Sequence, residues 1–148
     1  MTRVLVVDHH DSYTWNLVHL IAGVTGTLPT VVQHDEVSVE DVLAHEHVVL
    51  SPGPGHPDVE RDFAVGREVL AGTRPVFGVC LGMQGIVTTY GGTVDRVPPG
   101  HGVTASVRHD GGGLFDGVPD PFRAVRYHSL AAITVPDVLE VTAVDEVS

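Results

Sequence analysis

Pro75-Val76-Phe77-Gly78-Val79-Cys80-Leu81-Gly82-Met83-Gln84 runs from an apolar, strand-like stretch into a helical pattern that continues to about Tyr90, with a cysteine at the join. A residue at so sharp a strand-to-helix turn is forced into strained backbone geometry. Its neighbours two before and two after must then be small, and Gly78 and Gly82 fill both places. The join also sets the sulfur at a helix N-terminus, where the dipole and unpaired N–H groups favour thiolate. A buried structural cysteine is the competing reading, because free cysteine is among the most buried residue types. The flanking glycines and the strand-helix setting favour a nucleophile.

Upstream, the same alternation repeats. Val4 to Val7 is a continuous aliphatic run, as expected of a strand buried on both faces. Trp15, Val18, Ile21 and Ala22 then recur at helical spacing, with Asp11 or Ser12 as the natural cap. Pro29 to Gln33 reads as a strand, and Ser38 with Asp41 as a capping box before a short helix ending near His45. His47 to Leu50 is a third strand. Val59, Phe63, Gly66 and Leu70 mark one face of a further helix. Four strand-helix alternations predict an α/β fold: an open, mostly parallel sheet with helices on both faces. After Gly91-Gly92 the stretches Thr93–Val97, Val103–Arg108, Arg123–Tyr127 and Leu139–Ala143 predict short strands joined by turns. They suit an antiparallel extension of the sheet within a single domain over residues 1–148.

The third strand runs directly into Ser51-Pro52-Gly53-Pro54-Gly55-His56-Pro57, which three prolines and two glycines exclude from helix and interior strand. Ligands of open α/β sheets sit outside the carboxyl ends of the strands, so this loop and Cys80 are expected at one edge. Its unshielded glycine N–H groups are able to donate to an oxyanion. A plain rigid turn is the alternative for the loop taken alone. A phosphate-binding loop is disfavoured, since no Lys-Ser/Thr follows.

The net charge of -11, with only 8 Lys and Arg, excludes a phosphate-binding surface, so neither nucleic acid nor an anionic membrane is an expected partner. The N-terminal apolar run is too short for a signal segment or a membrane span, and a cytoplasmic location is expected. One cysteine rules out an intrachain disulfide and Cys-rich zinc sites. The 10 histidines form no tract, and neither a metal nor a cofactor is expected.

Taken together, these segments resemble the class I (triad) glutamine amidotransferases, and within them the glutaminase component of anthranilate synthase and aminodeoxychorismate synthase. The resemblance runs nearly end to end. Asp8 with Asp11-Ser12-Tyr13-Thr14-Trp15-Asn16-Leu17-Val18 is similar to the family's opening signature, Ser51 to Gly55 to its oxyanion loop, and Gly78 to Gln84 to its nucleophile motif. Gly91-Gly92, His101-Gly102, His109-Asp110-Gly111, Gly113-Leu114-Phe115 and Arg126-Tyr127-His128-Ser129-Leu130 continue it in order.

The resemblance implies that Cys80 attacks the side-chain amide of L-glutamine and that the backbone N–H groups of Gly53 and Leu81 hold the oxyanion. It implies that Gly53, Pro54, Gly55, Gln84, Ser129 and Leu130 bind glutamine. It also implies a chorismate-using synthase, separate or fused, as partner, in anthranilate or 4-amino-4-deoxychorismate synthesis. Met83 stands where chorismate-pathway members usually have histidine, as in the CTP synthase branch. The family's catalytic histidine and glutamate lie in a C-terminal His-Pro-Glu. No such motif occurs here; the only His-Pro is His56-Pro57, in the oxyanion loop, and the chain is expected to lack that region. The alternative function is therefore a catalytically silent relative that binds glutamine or docks on the synthase. A different cysteine enzyme on a similar fold, such as a γ-glutamyl hydrolase, fits the loop and the Tyr-His-Ser segment less well.

Overall fold

The computed structural model describes residues 2–147, which divide between Thr89 and Tyr90 into two compact units. In the first unit, β1 (Val4–Asp8), α1 (Thr14–Thr25), β2 (Thr30–Gln33), α2 (Val39–Leu43), β3 (His47–Leu50), α3 (Gly66–Leu70), β4 (Val76–Gly78) and α4 (Leu81–Thr89) alternate strictly. The strands pair in parallel in the order β2-β1-β3-β4, as the alternation predicts. The period of two along β1 explains the layers. Val6 turns to one face with Val49, where Val18 of α1 covers them. Leu5 and Val7 turn to the other with Val48 and Leu50, under Val42 of α2, Val69 and Leu70 of α3, and Leu81 of α4. Both faces are thus covered by helices.

The chain moves from β1 to β2 on one side and then to β3 on the other. The strand order therefore reverses between β1 and β3, and a crevice opens at their carboxyl ends. Asp8-His9 and Leu50-Ser51 lie at that point.

Two local readings change. Helix α1 begins after Tyr13, with no side-chain cap. The Asp11 carboxylate, two residues before the helix cap, instead accepts the Tyr13 N–H at 2.9 Å, and Asp8 holds the loop before it. One Asp8 oxygen accepts from Thr14 Oγ1 at 2.7 Å and from the Asp11 N–H at 3.2 Å; the other accepts from Gln33 Nε2 at 3.0 Å. The helix expected from Val59 to Leu70 is confined to Gly66–Leu70. Val59 to Phe63 forms turns, with the Asp62 carboxylate accepting the His56 N–H at 3.1 Å and bracing the Pro-Gly-Pro-Gly loop. The Ser38–Asp41 cap forms as expected, Ser38 Oγ accepting the Asp41 N–H at 3.1 Å.

In the second unit, β5 (Thr93–His109), a short 3-10 turn (Gly113–Phe115), β6 (Phe122–Thr134) and β7 (Ala143–Asp145) make an antiparallel sheet in the order β6-β5-β7. The two strands expected at Thr93–Val97 and Val103–Arg108 are one long strand, kept continuous by irregular register between Arg96 and Val103. Because β5 pairs with β6 along most of its length, these strands hydrogen-bond to one another and form a sheet of their own.

Candidate active site

The first unit brings the carboxyl ends of β1, β3 and β4 together. Cys80 follows β4 with φ 53°, in the left-handed region that side chains rarely adopt. The bend is tight on both sides. A Cβ on Gly78 would stand 2.5 Å from the carbonyl carbon of Gly82, and one on Gly82 would stand 2.2 Å from the carbonyl oxygen of Leu50. The Gln84 N–H donates to the Cys80 carbonyl at 2.9 Å and closes the first turn of α4.

Cys80 is half-buried, and burial pushes its thiol above the ordinary range. The Leu81 N–H, hydrogen-bonded to the sulfur, opposes that rise, and the Asp11 carboxylate adds to it. The helix-terminus contribution anticipated from the sequence is therefore present but outweighed: desolvation penalises the thiolate more than one amide dipole stabilises it.

The Pro-Gly-Pro-Gly loop reaches the same edge. A Cβ on Gly53 would lie 2.9 Å from Leu81 Cδ2, 2.5 Å from His9 Cβ and 2.8 Å from the His9 carbonyl oxygen. Gly53 therefore fits only as glycine between the end of β1 and the residue after Cys80. Gly55 has φ 91°, and the Asp62 carboxylate fills the space a side chain would need. Pro54 is exposed beside it. Ser51 is fully buried; its Oγ accepts the His9 N–H at 2.9 Å and donates to the Pro52 carbonyl at 2.6 Å.

Cys80, Leu81, Gly53, Pro54 and Gly55 thus belong to one edge, and Gln84, 4% exposed, is buried on α4 one turn beyond the bend. Ser129 and Leu130 lie on β6 of the second unit, Ser129 exposed and Leu130 paired with Arg96 of β5. His109 and His128 also belong to that unit, and both ring nitrogens of each are committed. His109 accepts the Gly111 N–H at Nδ1 and donates from Nε2 to the Pro119 carbonyl. His128 accepts from Arg126 Nε and donates from Nδ1 to the Leu130 carbonyl. They are braces of their own loops and strands.

His9 is not singled out by any motif or spacing in the sequence, and Asp11 and Phe63 are legible there only as a cap or signature residue and as a helix-face residue, not as neighbours of the site. One histidine cluster is also visible only in three dimensions. His10, His34 and Asp35 place ligand-type atoms within 4.8 Å of one another. A neutral imidazole has one nitrogen lone pair, however, and that of His34 already accepts the Ala64 N–H at Nδ1, at 3.1 Å. His10 Nε2 and Asp35 satisfy each other at 3.0 Å. The cluster is a hydrogen-bonded group, with no lone pair left on His34 for a metal.

An α/β sheet with a cysteine on a glycine-flanked bend, facing a glycine loop from the next strand, defines a nucleophile-elbow protein. The family described as glutamine amidotransferase class-I matches residues 5–148, and the chain belongs to it. It is 47% identical to an aminodeoxychorismate synthase of Streptomyces griseus, over 97% of this chain and 20% of that protein. It is 43% identical to an anthranilate synthase component 2 of Haloferax volcanii, over 97% of this chain and 74% of that one. The chain therefore spans about a fifth of the length of the aminodeoxychorismate synthases it matches, and about three quarters of the component 2 protein. A glutamine amidotransferase from Thermotoga maritima superposes with a TM-score of 0.70 at 19% identity, covering 98% of this chain and 67% of that one, which establishes the shared fold. Among the described residues no helix is long and apolar enough to cross a membrane.

Proposed function

We propose that this chain is the glutamine-hydrolysing part of an ammonia-supplying system, with Cys80 as nucleophile. The Cys80 sulfur attacks the side-chain carboxamide carbon of L-glutamine. The carbonyl electrons move onto oxygen, where the backbone N–H groups of Gly53 and Leu81 receive them. Each such donor is worth about 3–4 kcal/mol of transition-state stabilisation. The carbon–nitrogen bond breaks, ammonia leaves with the proton given up by the thiol, and a glutamyl thioester remains for water to hydrolyse to glutamate. Gly55, Pro54 and Gln84 line the glutamine site in this reading, and the family resemblance gives Ser129 and Leu130, on β6 of the second unit, a part in binding glutamine through backbone groups. The ammonia passes to a chorismate-using synthase, as the names of the relatives suggest. A cytoplasmic setting accords with this, since the lone thiol has to stay reduced.

The observation that carries the reading is the left-handed Cys80 between Gly78 and Gly82, with Gly53 fitted against Leu81. A second reading, a glutamine-binding relative without turnover, draws on two facts. The thiol is raised above its ordinary range, and the hydrogen bond that reaches its sulfur comes from the Leu81 backbone amide, which cannot take its proton.

A glutamine-shaped chloroketone followed by mass spectrometry separates the two. Labelling confined to Cys80, blocked by glutamine and absent in Cys80→Ala, supports a thiol poised for attack. An unlabelled protein that still binds glutamine by calorimetry supports the silent relative. With the synthase added, Cys80→Ala should abolish glutamine-dependent product formation and leave ammonia-dependent formation intact. Loss of both would overturn the ammonia-supply assignment.

A further inference from the structure

We propose that His9 is a positioning residue for the Pro-Gly-Pro-Gly loop, holding Gly53 in place against the Cys80 bend. The inference rests on the reading of Gly53 as an oxyanion donor. His9 is 1% exposed and follows Asp8 at the switch point between β1 and β3. Its backbone N–H and its ring Nδ1 both meet Ser51 Oγ, at 2.9 and 3.2 Å. A hydroxyl has one proton, and that of Ser51 goes to the Pro52 carbonyl. Toward His9 the Ser51 oxygen can therefore only accept, so Nδ1 carries the ring proton. The hydroxyl then makes all three of its hydrogen bonds, and the first two residues of the loop are fixed to the end of β1.

His9 also sets the position of Gly53 directly, because its Cβ and its carbonyl oxygen occupy the space beside the Gly53 Cα. The ring continues the connection toward the nucleophile's own helix. It stacks on Phe63 with centroids 5.2 Å apart and planes 13° apart. Phe63 in turn fills the places where Gly66 of α3 and Gly85 of α4 would carry a Cβ, at 2.1 and 2.2 Å. The loop, His9, Phe63 and α4 therefore form one packed series. The arrangement leaves His9 Nε2 as a buried acceptor without a hydrogen-bond partner among the described residues. That orphan atom costs stability, and a phenyl ring would avoid the cost. What a phenyl ring lacks is the Nδ1–H that meets Ser51.

His9→Phe keeps the stack and removes that donor, whereas His9→Asn supplies a side-chain N–H without the ring. Each variant is first melted thermally to confirm that it folds. Cys80 labelling is then timed with two reagents: the glutamine-shaped chloroketone, which needs the oxyanion donors, and iodoacetamide, which reads only the thiol. In His9→Phe the chloroketone rate should fall about tenfold while the iodoacetamide rate stays within about twofold, since one misplaced oxyanion donor costs at least that much. His9→Asn should recover most of the chloroketone rate. An unchanged chloroketone rate in His9→Phe, or an equal fall with both reagents, overturns the proposal. If the unsubstituted chain reacts with iodoacetamide but not with the chloroketone, the reading of Cys80 and Gly53 as glutamine-hydrolysing groups has itself failed. Amide hydrogen exchange across residues 51–57 then decides the positioning role alone: faster exchange in His9→Phe supports it, and equal exchange removes it.

Discussion

The carbonyl oxygen of Leu50 occupies the space in which a side chain at Gly82 would begin, 2.2 Å from where a Cβ would stand. One end of β3 therefore dictates the residue two places after Cys80. The obstruction is backbone in the middle of the sheet, so it cannot swing aside as a flexible side chain would. Gly82→Ala should destabilise the chain by about 2–3 kcal/mol, at the upper end for overpacking, and reduce Cys80 reactivity as the bend relaxes. Urea melts compared with iodoacetamide rates test this. A variant as stable and reactive as the parent would show that the bend has slack.

The Cys80 thiol should titrate above the ordinary thiol range, as burial and the Asp11 carboxylate together outweigh the Leu81 amide. Alkylation rates followed against pH should rise late, and Asp11→Asn should move the rise to lower pH by removing a repelling charge. An asparagine oxygen can still accept the Tyr13 N–H, so the loop should survive the change. Superimposable curves for the two proteins would mean that Asp11 does not act on the sulfur.

Acid should weaken the first unit through His9. Burial lowers its pKa to about 4, with repulsion from His34 and His10 in the same direction and attraction to Asp8 opposing. His34 is lowered as well, again mainly by burial. A histidine that is neutral when folded and ordinary when unfolded makes unfolding take up protons. Stability is then full above pH ~6.5, is lost as pH falls toward 4, and levels off below. For His9 the loss is on the order of 3 kcal/mol. His9→Phe should flatten the acid limb of urea midpoints measured between pH 7 and 4.5. An equally steep limb would place the effect elsewhere.

Arg126 on β6 reaches over Gly100 of β5 to Asp145 on β7, 3.7 Å away, and also donates to the Pro98 carbonyl and to His128. Both side chains are largely buried, at 8% and 15% exposure. Arg126→Met should cost about 2–3 kcal/mol, less than a fully enclosed pair, by removing the positive charge beside the largely buried Asp145 carboxylate. A double-mutant cycle with Asp145→Asn isolates the coupling. A value near zero would reduce the pair to two neighbours.

Most of the parallel fold was legible because β1 and β3 are mainly aliphatic runs, each followed by a polar or glycine-rich break. These two central strands are buried, whereas β2 and β4 at the sheet edges are only partly so. Helix limits were less legible where a loop carboxylate claimed the local amides. Asp62 is the clearest case: bound to the His56 N–H, it leaves Val59 to Phe63 as turns in spite of their helical spacing. The long β5 was read as two strands because Pro98, Pro99, Gly100 and Gly102 look like a turn, while the structure absorbs them as irregular register.

Sequence alone marked the bend, through the glycines two places before and after Cys80; the limit on Gly78 is set nearby, by Gly82 and Met83, whereas the limit on Gly82 is set by Leu50 of β3. Tertiary structure decided the electrostatics and the support. Whether the thiol is raised or lowered depends on how much water the fold removes and on the place of Asp11. The role of His9 depends on Ser51 and Phe63, 42 and 54 residues away along the chain. Desolvation and long-range packing are properties of the assembled interior, and no spacing of residues along the chain encodes them.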